Sequence, residues 1–167
     1  MIRSLKTLCE EHEIFMFDLD RTVFDTHTKM GEPIWAKQMI NPLINLDTDT
    51  IRDDCFSLCK LQSGIRSVLS YLQIHNKKLG FISRGGIFDL DYEKQPSVLL
   101  LKNFGIYDYF SYKKILLYKD DNKADQLSEI GSCVFFDDMD RDLDCARKLG
   151  GIEVCDRKQF ETWEDLL

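Results

Sequence analysis

The run Ile14-Phe15-Met16-Phe17, followed at once by Asp18-Leu19-Asp20, constrains this chain more than any other stretch. Four apolar residues flanked by charge are too few for a buried helix and read as a strand. A strand with no polar face belongs to a parallel sheet covered on both sides. Open α/β sheets place their chemistry beyond the C-terminal ends of the strands, and the two acids fall there. In extended chain, residues i and i+2 point the same way, so Asp18 and Asp20 can share one site. Two carboxylates so placed repel unless a cation lies between them. A strand end running into a polar turn would produce the same three letters, so the remainder of the chain decides.

That remainder alternates strands with helices. A leading helix is expected over 3–12, with Leu5, Leu8 and Cys9 on one face. Further helices are expected over 63–75, capped by Ser63, over 96–104, stopped by Gly105, over 123–129, capped by Asp121 or Asn122, over 140–149 and over 158–166. The strands between them are 78–82, 112–118, 133–136 and 152–155. Such alternation predicts βαβ units and one α/β domain over 1–167, a three-layer sandwich around a central parallel sheet. The exception is 25–62, which shows no clean period, contains Pro33 and Pro42, and is partly helical in expectation around 51–61. A connection of this length is usually a lid or binding segment, and Trp35, Met39 and Ile40 give it apolar weight.

Charge and cysteine usage remove several classes. A net charge of −7 disfavours nucleic acid or an anionic membrane as the main partner. The charged first dozen residues do not read as a secretory signal, and no apolar run approaches the ~20 residues of a membrane span. Cys9, Cys55, Cys59, Cys133, Cys145 and Cys155 make no dense disulfide framework, and Cys55 and Cys59 lack a second Cys/His pair for zinc. A reduced, cytoplasmic protein is expected, with its oligomeric state open.

Several predicted strands end on a polar residue: the first on Asp18 and Asp20, the second on Ser83, the fourth on Asp137 and Asp138. Parallel strands deliver these ends to one crevice. Carboxylates from two strands suit Mg²⁺, a hard cation held by few protein oxygens with positions left for substrate phosphate. A lysine after the third strand would add positive charge; Lys113, Lys114, Lys119 and Lys123 compete for that place.

These residues resemble the motifs of the haloacid dehalogenase (HAD) superfamily. Asp18-Leu19-Asp20-Arg21-Thr22 is similar to its first motif, Phe81-Ile82-Ser83-Arg84 to its second, Lys123 at a helix start to its third, and Val134-Phe135-Phe136-Asp137-Asp138 to its fourth. Order and rough spacing agree over about 13–155. Within the superfamily the chain most resembles the small magnesium-dependent phosphatase branch, which carries Ser-Arg and Phe-Phe-Asp-Asp at the corresponding places. Asp25-Thr26-His27 is similar to a tripeptide of that branch at a different offset.

The resemblance implies a Rossmann-like HAD fold without a large cap domain and a Mg²⁺-dependent phosphomonoester hydrolase. Asp18 would be the nucleophile that forms an aspartyl-phosphate, and Asp20 the acid and then the base. Ser83 would bind a phosphoryl oxygen, and Lys123 would neutralise charge between Asp18 and the phosphoryl group. Asp18, the Asp20 carbonyl and one acid of the Asp137/Asp138 pair would hold the metal, with Asp138 favoured as inner ligand and Asp137 as support. Arg84 either binds substrate or covers the edge of the site. Asp140 and Asp142 read as the acidic first turn of a helix, with a water-mediated reach to the metal as the lesser reading. His27 could line the pocket. The expected substrate is a phosphoprotein or a small phosphorylated metabolite. The alternatives are a phosphoacceptor domain of the response-regulator type, a glyceryl or phosphoryl transferase on the same fold, and a non-catalytic binding protein.

Overall fold

The computed structural model describes residues 3–26, 43–52, 58–84, 86, 88–117 and 122–167. In chain order its elements are α1 (Leu5–Glu11), β1 (Ile14–Phe17), β2 (Phe24–Asp25), β3 (Ile44–Asn45), β4 (Thr50–Arg52), β5 (Leu58–Leu61), α2 (Ile65–Ile74), β6 (Lys78–Arg84), α3 (Pro96–Asn103), β7 (Tyr112–Leu116), α4 (Lys123–Ile130), β8 (Cys133–Asp137), α5 (Asp140–Arg147) and β9 (Ile152–Asp156). Trp35, Met39, His27, Cys55 and Lys119 lie outside the described residues.

β7, β6, β1, β8 and β9 form a parallel sheet in that order. Counted along the chain, this is strand order 3-2-1-4-5, the doubly wound Rossmann order rather than the 2-1-3-4-5 order of flavodoxin-like response regulators. Strand order thus rules out the phosphoacceptor alternative at the level of fold.

β1 lies at the centre and its side chains divide between the two faces. Phe15 and Phe17 pack with Val134 and Phe136 beneath α2, α3 and Trp163, while Met16 packs with Ile82, Cys133 and Phe135 beneath α4 and α5. The period of two therefore makes two cores from one strand. Each buried aromatic or aliphatic side chain contributes roughly 1.5–3 kcal/mol. Gly80 of β6 is needed at the centre: a Cβ there would lie 2.7 Å from the Met16 sulfur and 2.9 Å from Cβ of Tyr112.

β2, β5, β4 and β3 form a separate antiparallel sheet. Two of its strands, β4 and β5, occupy the region around 51–61 where helix was expected. Ile51, Cys59 and Leu61 are buried at a spacing of strands, while Lys60 between two of them is exposed. Among the described residues no large cap domain is present. No helix among them is long and apolar enough to cross a membrane.

Two further expectations are corrected. α2 starts after Gly64, whose φ of +80° turns the chain without a side-chain cap, and the Ser63 carbonyl instead accepts the Trp163 N–H. The expected helix over 158–166 is two 3₁₀ turns, Arg157–Gln159 and Trp163–Leu166, separated by extended Phe160, whose carbonyl accepts a hydrogen bond from Arg157.

Candidate active site

The parallel order reverses between β1 and β8, and ligands of such sheets bind in the crevice at that switch point. The residue after β1 is Asp18, and β8 ends on Asp137. The Asp18 N–H donates to the Phe136 carbonyl at 2.8 Å, which extends the ladder by one residue and sets Asp18 beside the Asp137–Asp138 pair. Carboxylate oxygens of Asp18, Asp137 and Asp138 lie within 4.8 Å of one another.

Lys123 opens α4, where Asn122 caps the helix by accepting the Ala124 N–H at 2.9 Å. The residue is 1% exposed. Nζ donates to Asp18 Oδ1 at 2.5 Å and to Asp137 Oδ2 at 2.7 Å, and lies 3.4 Å from Asp142 Oδ2. A buried ammonium is tolerable only with such partners. Burial alone would lower the Lys123 pKa, but the Asp18 and Asp137 carboxylates outweigh it and raise it. Of the competing lysines that are described, Lys113 lies over the Tyr107 ring and Lys114 is exposed.

The acids outnumber this cation. Burial pushes Asp18 up to about 6 against the pull of Lys123. Burial, then the Asp18 charge, pushes Asp137 up to about 7. Asp138 is raised as well, by burial first and Asp137 second, with Arg21 acting the other way. A dry group of carboxylates with one ammonium asks for further positive charge, and hard oxygen donors at this spacing fit Mg²⁺. The two acids of the pair differ in their engagements. Asp137 is fully buried, accepts the Met139 N–H at Oδ1 (2.8 Å) and holds Lys123 at Oδ2. Asp138 lines the cleft beside Asp18, so its position is the one open to a ligand.

Asp20 lines the same cleft. Its Oδ1 accepts the Thr26 N–H at 3.2 Å and the Thr26 hydroxyl at 2.7 Å. The turn that carries it is tight: the Leu19 carbonyl accepts N–H groups of Thr22, Val23 and Phe24, and Trp163 Nε1 donates to the Thr22 carbonyl at 2.9 Å. Ser83 is the penultimate residue of β6, is 2% exposed, and donates to the Arg84 carbonyl at 3.1 Å.

Arg84 does more than cover an edge. Its Nε and Nη2 donate to Asp142 Oδ2 at 3.2 Å and Oδ1 at 2.5 Å, a two-point pairing. Asp142 thereby links Arg84 to Lys123, a part that the charged-helix reading missed. A signal was available: Asp142 shares the buried side of α5 with Leu143 and Ala146, whereas Asp144 is exposed. His12 and His75 lie at the ends of α1 and α2, away from this cleft.

Asp18, Asp20, Ser83, Arg84, Lys123, Asp138 and Asp142 line one cleft of about 310 Å³, with Asp137 behind Lys123. No family model and no curated protein sequence matches the chain. Solved structures do resemble it. A candidate phosphatase from Clostridium difficile aligns with TM-score 0.55 at 16% identity, covering 86% of this chain and 84% of the other. A haloacid dehalogenase-like family hydrolase from Streptococcus pneumoniae aligns with TM-score 0.55 at 16% identity, covering 94% and 90%. The chain has the haloacid dehalogenase-like fold, as the four motifs implied.

Proposed function

We propose that the protein is a HAD-type, Mg²⁺-dependent phosphomonoester hydrolase that works through an aspartyl-phosphate. The observation that carries this reading is Lys123, a buried ammonium bridging Asp18 and Asp137 beside Asp138, Asp20 and Ser83 in one cleft. Asp18, Asp138 and the Asp20 carbonyl would hold Mg²⁺, which when bound supplies charge neutralisation for the acids and the phosphoryl oxygens.

A carboxylate oxygen of Asp18 attacks phosphorus, the ester P–O bond breaks, and Asp20 gives its proton to the leaving oxygen. Water then attacks the phosphorus, Asp20 takes a proton from it, and the bond to Asp18 breaks to release inorganic phosphate. Thr26 fixes the Asp20 rotamer for both transfers. Lys123 orients Asp18 and balances charge as the phosphoryl group arrives, and Ser83 donates to a phosphoryl oxygen. Positioning and charge compensation supply most of the acceleration in such chemistry. Without a large cap among the described residues, either a phosphoprotein or a small phosphorylated metabolite can reach the cleft.

Hydrolysis of p-nitrophenyl phosphate, with Mg²⁺ and with excess chelator, tests the reading. Turnover should need Mg²⁺ and should fall by about 10³-fold or more in Asp18→Asn, with the fold retained. Full activity in chelator or in that variant refutes it.

A further inference from the structure

We propose that the cleft takes a small phosphomonoester bearing a second anionic group, a carboxylate or a second phosphate, which Arg21 and Arg141 hold together. The proposal deepens the hydrolase reading and rests on it for the role of the phosphoryl end.

Among the described residues, four cations line the cleft. Two are committed: Lys123 to Asp18 and Asp137, and Arg84 to Asp142. Arg21 and Arg141 also line it, and both are exposed. Neither makes an ion pair or a side-chain hydrogen bond among the described residues, although the Arg21 charge is felt by Asp138. Arg21 follows β1 and Arg141 lies in the first turn of α5, just after β8, and β1 and β8 are neighbours in the sheet. The buried Lys123 and Asp18 form its floor, and the exposed arginines form its rim. The phosphoryl end is served at the floor, so the rim cations are left for another group of the same substrate.

Arg21 also has a φ of +62°, in the left-handed region that arginine rarely adopts, and its N–H is held by the Phe24 carbonyl at 2.6 Å. Backbone strain of this kind collects where side-chain placement matters. Two guanidinium groups suit a planar carboxylate or a phosphate, to which each can donate in pairs. Phe24 and Leu100 line the same space and suit an apolar body between the two anions. A volume of about 310 Å³ stands at the small end of ligand pockets and suits a small doubly anionic molecule.

Equilibrium binding to the full chain, in Mg²⁺ buffer at fixed ionic strength, tests this without turnover. The probes are phenylphosphonate, 4-carboxyphenylphosphonate and 1,4-phenylenebisphosphonate. At least one doubly anionic probe should bind tenfold or more tightly than phenylphosphonate, and whichever binds better identifies the second anion. That advantage should vanish in R21Q/R141Q and return in part in R21K/R141K. Equal affinities in the wild type, an advantage that survives in R21Q/R141Q, or no binding of any probe overturns the proposal. So does a phosphotyrosyl peptide with neutral flanks that binds as tightly as the doubly anionic probes. Hydrolysis of p-nitrophenyl phosphate is read in parallel. Turnover with equal probe affinities sinks this proposal alone; a tenfold advantage without turnover sinks the hydrolase reading alone.

Discussion

Lys123 and Lys60 are the same side chain in two settings. Lys123 sits at the switch point of the parallel sheet, 1% exposed, with carboxylates of Asp18 and Asp137 on its Nζ. Lys60 sits on β5 of the small antiparallel sheet and is exposed, between buried Cys59 and Leu61. In the first setting the fold has carried charge into a dry place and must balance it. In the second, water does the balancing and the strand merely alternates. A site for phosphoryl chemistry needs the first arrangement, because charges act strongly only where water is excluded.

The sharpest way to break this contrast is to remove both amines. Lys123→Ala leaves Asp18 and Asp137 buried without their cation and should cost about 3–5 kcal/mol of stability. Lys60→Ala should stay within about 0.5 kcal/mol. Chemical denaturation of both variants in metal-free buffer measures the difference, and similar losses would erase the distinction.

The small sheet still packs into the larger core, since Ile51, Cys59 and Leu61 belong to the same buried cluster as Phe15 and Phe17. Ile51 is fully buried, so Ile51→Ala should cost about 2–5 kcal/mol in the same titration. A negligible loss would mean that this sheet contributes no packing to the domain.

The metal-free protein should also respond to pH. Asp18 and Asp137 are raised by burial to about 6 and about 7, above their ordinary value of 3.8. The folded state then holds protons that the unfolded state has released. The stability this contributes is fully present below pH 3.8 and is lost as pH rises through about 6 to 7. Thermal midpoints in chelator should therefore fall between pH 5 and pH 7.5, and Mg²⁺ should shrink the fall, since it favours the charged carboxylates. The same slope with and without Mg²⁺ would contradict the charge accounting at this site.

A similarly small effect is expected of a surface ion pair. Lys158 and Asp140 pair at 2.6 Å, yet their side chains are 48% and 78% exposed. Lys158→Ala should change stability by at most about 1 kcal/mol, to be read from the denaturation midpoint.

The same contrast explains what the sequence made legible. β1, β6 and β8 are apolar runs buried on both faces, so composition alone marks them, and their polar ends name Asp18, Ser83, Asp137 and Asp138. Asn122 before Lys123 marks a helix start, which brings that lysine to the crevice. The small sheet escaped because β3 and β4 have only two and three residues, both residues of β3 are exposed, and two-residue β2 pairs with β5, Phe24 against Leu61, far along the chain. Asp142 escaped for a different reason: an acid in a first helical turn satisfies the helix dipole, and only tertiary packing shows that it faces Arg84. The turn at Thr22 depends on Trp163, a contact no local pattern contains.

If Asp18 is the nucleophile, it becomes phosphorylated during turnover. Asp20→Asn should slow both steps, but the hydrolysis of the intermediate more, because p-nitrophenolate leaves without a proton; that variant, mixed with p-nitrophenyl phosphate and Mg²⁺ and quenched in acid, is the material for peptide mass mapping. A phosphoryl group on the peptide that contains Asp18, absent from Asp18→Asn, is the predicted result. Sustained phosphate release by the wild type, with no phosphorylated Asp18 peptide in either protein, would contradict the account.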